Sequence, residues 1–166
     1  MTTSAANSVH RPLVPEFDAV VLGRSFASQR VASRLRDELR LSVHEIAAAT
    51  LARYDDIDHR WEILVGDTVV VRAKFVIDGH GDLPMRGRDE IEPGFRAVTT
   101  PGFPNLFRPV VPGRADAVGY TVSCIAYMRT NGLDYVERRL RTPISDDDFP
   151  ELTFDRPSPV LWTDLA

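Results

Sequence analysis

The stretch Phe17-Asp18-Ala19-Val20-Val21-Leu22-Gly23-Arg24-Ser25-Phe26-Ala27-Ser28 decides the fold. Its first half is a short apolar run, which reads as a buried strand. Gly23 opens a turn, and beyond Ser28 the apolar positions take helical spacing: Val31, Leu35 and Leu39 lie four apart, while Arg30, Arg34 and Asp37 turn elsewhere. Leu41 to Ile46 is short and alternating. Strand, glycine turn, helix and strand within about 30 residues make a βαβ unit, so the fold is expected to be α/β with a parallel sheet.

Upstream, Met1 to Val14 is small and polar and reads as a flexible N-terminus, with Pro12 and Pro15 leading into the first strand. Downstream, Ala47-Ala48-Ala49 and their neighbours fit either a short helix or a covered loop. Arg60 to Val65 and Thr68 to Lys74 are two β-rich runs about Gly66-Asp67, the pattern of a β-hairpin inserted into the fold. Phe75-Val76-Ile77 continues as a buried strand and ends at the glycine turn Asp78-Gly79-His80-Gly81-Asp82. From Pro84 to Gly119 prolines and glycines recur, so packed irregular loop is expected, with Leu106 to Val111 the only strand-like piece. Tyr120 to Leu140 regains helical spacing, with Gly132 the point where it can break, and predicts a C-terminal helix. One α/β domain over residues 15–142 and an acidic, proline-rich tail over 143–166 follow.

A chain of 166 residues holds one sizeable core. With 43% hydrophobic and 27% charged residues the composition is that of a globular protein. Twenty Lys+Arg against 24 Asp+Glu give a net charge of -4 with no basic block, so nucleic acid is not an expected partner. No run approaches a membrane span and no leader precedes the first strand, so a cytoplasmic location is expected. Cys124 is the single cysteine and reads as a small buried hydrophobe. There is no G-x-S-x-G elbow, no H-E-x-x-H and no phosphate loop with its lysine, so hydrolase, zinc-protease and kinase readings lack motif support.

Four pieces, taken in order, resemble the flavin domain of Baeyer–Villiger and related flavin-containing monooxygenases. They are Phe17 to Gly23 with its helix, Tyr54-Asp55-Asp56 through the hairpin to Gly79-His80-Gly81, the segment Thr100-Pro101-Gly102-Phe103-Pro104-Asn105-Leu106-Phe107, and Tyr120 to Arg141. Together they cover roughly three-quarters of the chain, and an ordered set is more specific than a lone glycine motif. The resemblance implies a reduced Rossmann-like, three-layer FAD domain. It implies FAD as cofactor, with the diphosphate at the turn Gly23, Arg24, Ser25 and Ser28, and with Glu45 on the adenosine ribose. The family's NADPH domain has no counterpart in the short interval between Glu45 and Phe75, so NADPH is not expected to bind.

In such a fingerprint the first glycine makes the turn, the second lets the backbone approach the diphosphate and the third lets helix and strand pack closely. Here Gly23 stands at the first position, and Ser25 and Ser28 replace the other two. The Ser25 side chain is expected to project into the diphosphate's space from a backbone position that favours glycine, which weakens binding. Serine hydroxyls, the helix N-terminus and Arg24 remain as anion donors.

Asp78, His80 and Asp82 alternate along the glycine turn and offer an imidazole and carboxylates for acid–base chemistry or a metal; capping of turn amides is the structural alternative. His44 and Glu45 face opposite ways in a regular strand and form no dyad. Phe103, Phe107, Tyr120, Tyr127 and Trp162 are candidates to line a cavity for a hydrophobic small molecule, as an alternative to simple core packing. The expected role is that of a flavin-monooxygenase-like pseudoenzyme acting as an accessory or regulatory subunit, either self-associating as a homo-oligomer or docking on a flavin monooxygenase. Two alternatives stand beside it. One is a minimal FAD-binding oxidoreductase fed electrons by a partner, and the other a non-redox isomerase or cyclase using Asp78 and His80.

Overall fold

The structure is a computed structural model that describes residues 13–79, 82–88, 98–99, 102–109, 116–138 and 152–155. Strand β1 (Glu16–Leu22) lies between β2 (Val43–Ile46) and the second half of β5 (Thr68–Asp78), parallel to both. Ala19 to Leu22 are wholly buried because both faces of this parallel block are covered, which is why they read as one unbroken apolar run. Helix α1 (Phe26–Asp37) makes the crossover from β1 to β2 and buries Ser28, Val31, Ala32 and Leu35.

The hairpin forms as read: β4 (Arg60–Val65) and the first half of β5 pair antiparallel about Gly66, whose φ is 61°. A bulge between Ile63 and Leu64 shifts the register. A further strand, β3 (Leu51–Asp55), pairs antiparallel with β4, and β6 (Met85–Arg86) pairs with β3. Ala47 to Thr50 are neither helix nor covered loop; they are a largely exposed connection into β3. Strand β7 (Leu106–Phe107) pairs parallel with the second half of β5 at Val76 and Ile77. The sheet order is thus β2-β1-β5-β4-β3-β6, with β7 beside the end of β5. The fold is mixed α/β, with a parallel block and an antiparallel block sharing β5.

Helix α2 spans Ala117–Thr130 and stops well short of the Leu140 expected from the apolar spacing. Asn131 caps it and Gly132 enters the left-handed region at φ 62°. The Leu133 amide donates to Met128 O at 2.9 Å and the Gly132 amide to Arg129 O at 3.4 Å, which satisfies the terminal carbonyls. Tyr135–Arg138 then form β8, paired antiparallel with β9 (Leu152–Asp155) from the proline-rich tail.

Both helices pack on one face of the sheet, where Val31 and Leu35 of α1 and Ile125 and Met128 of α2 meet Ala19, Val21, Phe75 and Ile77. Cys124 is buried in this cluster, as expected of it. On the other face Val20, Leu22, Trp61, Ile63 and Val76 form a second cluster with Phe103 and Leu106, against which Leu83 and Met85 pack. Gly102 to Pro109 are all buried, so this segment is core rather than surface loop.

Candidate nucleotide turn and the ends of the central strands

The carboxyl ends of β1 and β5 lie side by side, with Leu22 registered on Asp78, while β2 leaves β1 on its other side. This is the point at which the strand order reverses, the position where open α/β sheets receive ligands. Gly23 turns the chain at φ 79°, as a tight-turn glycine must, and its amide donates to Ile46 O at 3.3 Å. Ser25 is the N-cap of α1.

Ser25 does not behave as the fingerprint leads one to expect. Its φ and ψ are -65° and 152°, ordinary extended backbone that needs no glycine. Its hydroxyl is turned inward: it accepts from the Ser28 amide at 3.1 Å and donates to Ser28 Oγ at 2.9 Å. The Ser28 hydroxyl donates in turn to Ser25 O at 2.9 Å. Ser28 is wholly buried, and the facing residue, immediately after β5, is Gly79. A Cβ on Gly79 would lie 2.6 Å from Ser28 Cβ and 2.8 Å from Ser25 Oγ, besides meeting Ser28 Oγ. The close approach of the helix to the end of β5 is therefore secured by the glycine that follows the strand, while the helix carries serine.

Arg24 is exposed beside this turn. Glu45, at the end of β2, is held by α1: Arg36 Nη2 lies 3.2 Å from its carboxylate. A hydrogen bond from Gln29, then the bond and charge of Arg36 and the charge of Arg24, hold the Glu45 carboxyl below its usual range against a smaller opposing effect of burial. His44 turns the other way, as read, and stacks on Phe17 with ring centroids 4.8 Å apart.

Asp78 belongs to neither group. Its carboxylate is 3.0 Å from Arg108 Nε, with both side chains almost wholly buried, and Arg108 Nη2 approaches Met85 Sδ at 3.9 Å. Successive strand residues point to opposite faces, so Asp78 lies on the face away from Gly79 and α1. His80, the other acid–base candidate, lies with Gly81 outside the described residues. No group of three or more metal-ligating side chains occurs among the described residues. No described helix is long and apolar enough to cross a membrane.

The sequence gives Arg108 no role and marks Gly79 only as part of a glycine turn. A single arginine after Leu106-Phe107 carries no pattern, and the demand for glycine at 79 arises only when α1 is laid across β5. His59 lies in the turn between β3 and β4, where its Nδ1 is 3.1 Å from the Tyr54 hydroxyl and its ring stacks on Tyr135 at 5.3 Å. Burial pushes the Tyr54 phenol well above its usual range, so it stays protonated.

No family model matches the chain, and no curated protein does. Among solved structures it is similar to cyclohexanone monooxygenase in a closed form, with TM-score 0.38 and 15% identity over 52% of this chain and 29% of that one. The open form gives 0.38 and 16% over 51% of this chain and 30% of that one. An oxidised steroid monooxygenase bound to NADP gives 0.36 and 13% over 52% and 30% respectively. The likeness is a distant one of fold over about half of the chain, and the chain spans less than a third of the length of these structures.

Proposed function

We propose that the chain is a flavin-monooxygenase-like pseudoenzyme: a reduced Rossmann-like flavin domain that serves as an accessory or regulatory subunit and performs no oxygenation of its own. In this reading the loop segments carrying Leu83 and Phe103 complete a third layer over the sheet face opposite the helices. The observation that carries the proposal is the self-satisfied turn. A dinucleotide diphosphate needs the free amides at the start of α1, and Ser25 Oγ has taken that of Ser28. Glu45, which would hold the ribose, is engaged by Arg36. The residues present do not fit FAD in this arrangement.

Adding FAD to the purified chain and recording absorbance, flavin fluorescence and melting temperature tests this directly. No spectral change and no rise in melting temperature are expected at ligand concentrations on the order of tens of micromolar, whereas binding to the native state alone would raise it. A yellow protein that melts higher with FAD would overturn the reading. The accessory role predicts that the chain alters the turnover or stability of a flavin monooxygenase from the same source, and no effect on either would remove it.

The minimal FAD-binding oxidoreductase is favoured by one feature, the left-handed Gly23 at the strand-order reversal, with the Phe26 and Ala27 amides lacking intrahelical acceptors. It requires Ser25 to release the Ser28 amide to phosphate. A Ser25→Gly, Ser28→Gly chain that binds FAD where the parent does not would assign the loss to these hydroxyls. The isomerase or cyclase reading gains no such support, since Asp78 is engaged by Arg108.

A further inference from the structure

We propose that Arg36 and Glu45 form a lock on the edge of the sheet, and that its work is to keep β2 from pairing with the β2 strand of a second copy of this chain. Among the described residues β2 is the outermost strand beside β1. The Ser42 and Ile46 carbonyls accept from Ala19 and Gly23 on the β1 side. By the two-residue alternation of a strand, Val43 and Glu45 turn their backbone groups to the opposite, outer edge. An outer edge of this kind is a template for another strand, and proteins blunt it with short strands and charged side chains.

Arg36 does this here through one nitrogen. Its Nη2 donates to the outward Val43 carbonyl at 3.1 Å and to Glu45 Oε2 at 3.2 Å. The two hydrogens of that nitrogen thus occupy an edge acceptor and anchor the guanidinium on the next outward residue. Gln29, about two turns earlier on α1, also favours the charged form of the same carboxylate. A strand arriving at Val43 has to displace a guanidinium that the protein itself has fixed. A second copy is the occupant the lock excludes, because two identical four-residue edges with apolar Val43 and Ile46 at their ends match each other without any further partner.

Amide hydrogen exchange at Val43 and Glu45, read together with the sedimentation mass, tests this on the full chain. In the parent both amides exchange fast. In Arg36→Ala, and in Arg36→Gln, which keeps a long polar side chain in the helix, both amides slow as concentration rises and the mass moves from one chain towards two. Adding Val43→Pro to Arg36→Ala removes an outward donor without touching the β1 pairing, and the mass returns to that of the parent. Circular dichroism matching the parent's shows that each variant is folded. The proposal is overturned by protected Val43 and Glu45 amides in the parent, by Arg36 variants that keep fast exchange and the parent's mass, or by association that survives Val43→Pro.

Discussion

Ser28 fits the joint between α1 and the end of β5 because Gly79 opposite it has no side chain. Gly79→Ala overpacks the joint and is expected to destabilise the chain by about 1–3 kcal/mol in urea unfolding. Placing Ser28→Gly in the same chain is expected to recover part of that loss, a coupling that a double-mutant cycle measures and that additive behaviour would disprove. Ser25→Ala removes the N-cap and is expected to lower stability by about 0.5–2 kcal/mol. Asp78→Ala breaks the buried ion pair with Arg108, and a larger fall of about 3–5 kcal/mol is expected. Gly23 was readable from sequence because a turn between strand and helix sets its own backbone demand. The serines were not, because the direction of the Ser25 hydroxyl depends on Ser28 and on a glycine far along the chain.

Asn105 shows the same dependence for whole elements. It sits at φ 57° before β7, its Oδ1 accepts from the Val136 amide at 2.7 Å, and its Nδ2 donates to Asp134 O at 3.1 Å. Its own amide and carbonyl bond Val136 O and the Val76 amide, so one side chain and its backbone join β5, β7 and β8. Asn105→Ala orphans the buried Val136 amide, for which about 1–3 kcal/mol is expected, and hydrogen exchange at Val136 should rise with it. The break at Gly132 was legible in the sequence. Strand β8 beyond it was not, since Leu133, Val136 and Leu140 also satisfy helical spacing and only pairing with β9 decides between the two. Strand β3 was missed for a like reason: five residues with Ala52 and Tyr54 inward declare themselves only against β4. At the β2 edge, the lowered Glu45 carboxyl sets a pH dependence. The folded protein holds this proton less tightly than the unfolded chain, so the contribution is complete above the ordinary carboxylate range and fades as pH falls through the folded value. The stability difference between the parent and Glu45→Gln should be constant near neutrality and shrink in acid; the pair is exposed, so the difference is small.

Across the whole molecule the α/β class, the βαβ opening and the hairpin were all open to reading, whereas the way they share a sheet was not. Periodicity reports what one segment buries; it carries nothing about which segment lies next to it. The junction is β5, whose eleven residues exchange an antiparallel neighbour for a parallel one midway. That division has a kinetic consequence. The β3–β4–β5 block closes through contacts between near neighbours in the chain, while Ala19 on Phe75 and Val76 on Leu106 must each close long loops first. The first half of β5 is therefore expected to be ordered in the folding transition state and its second half to complete afterwards. Ile63→Val, worth about 0.5–1.5 kcal/mol, should act mainly by slowing folding, and Leu106→Ala, worth about 2–5 kcal/mol, mainly by speeding unfolding. Stopped-flow rates for the two variants decide it, and the reverse assignment would mean that the long loops close before the hairpin that leads into them.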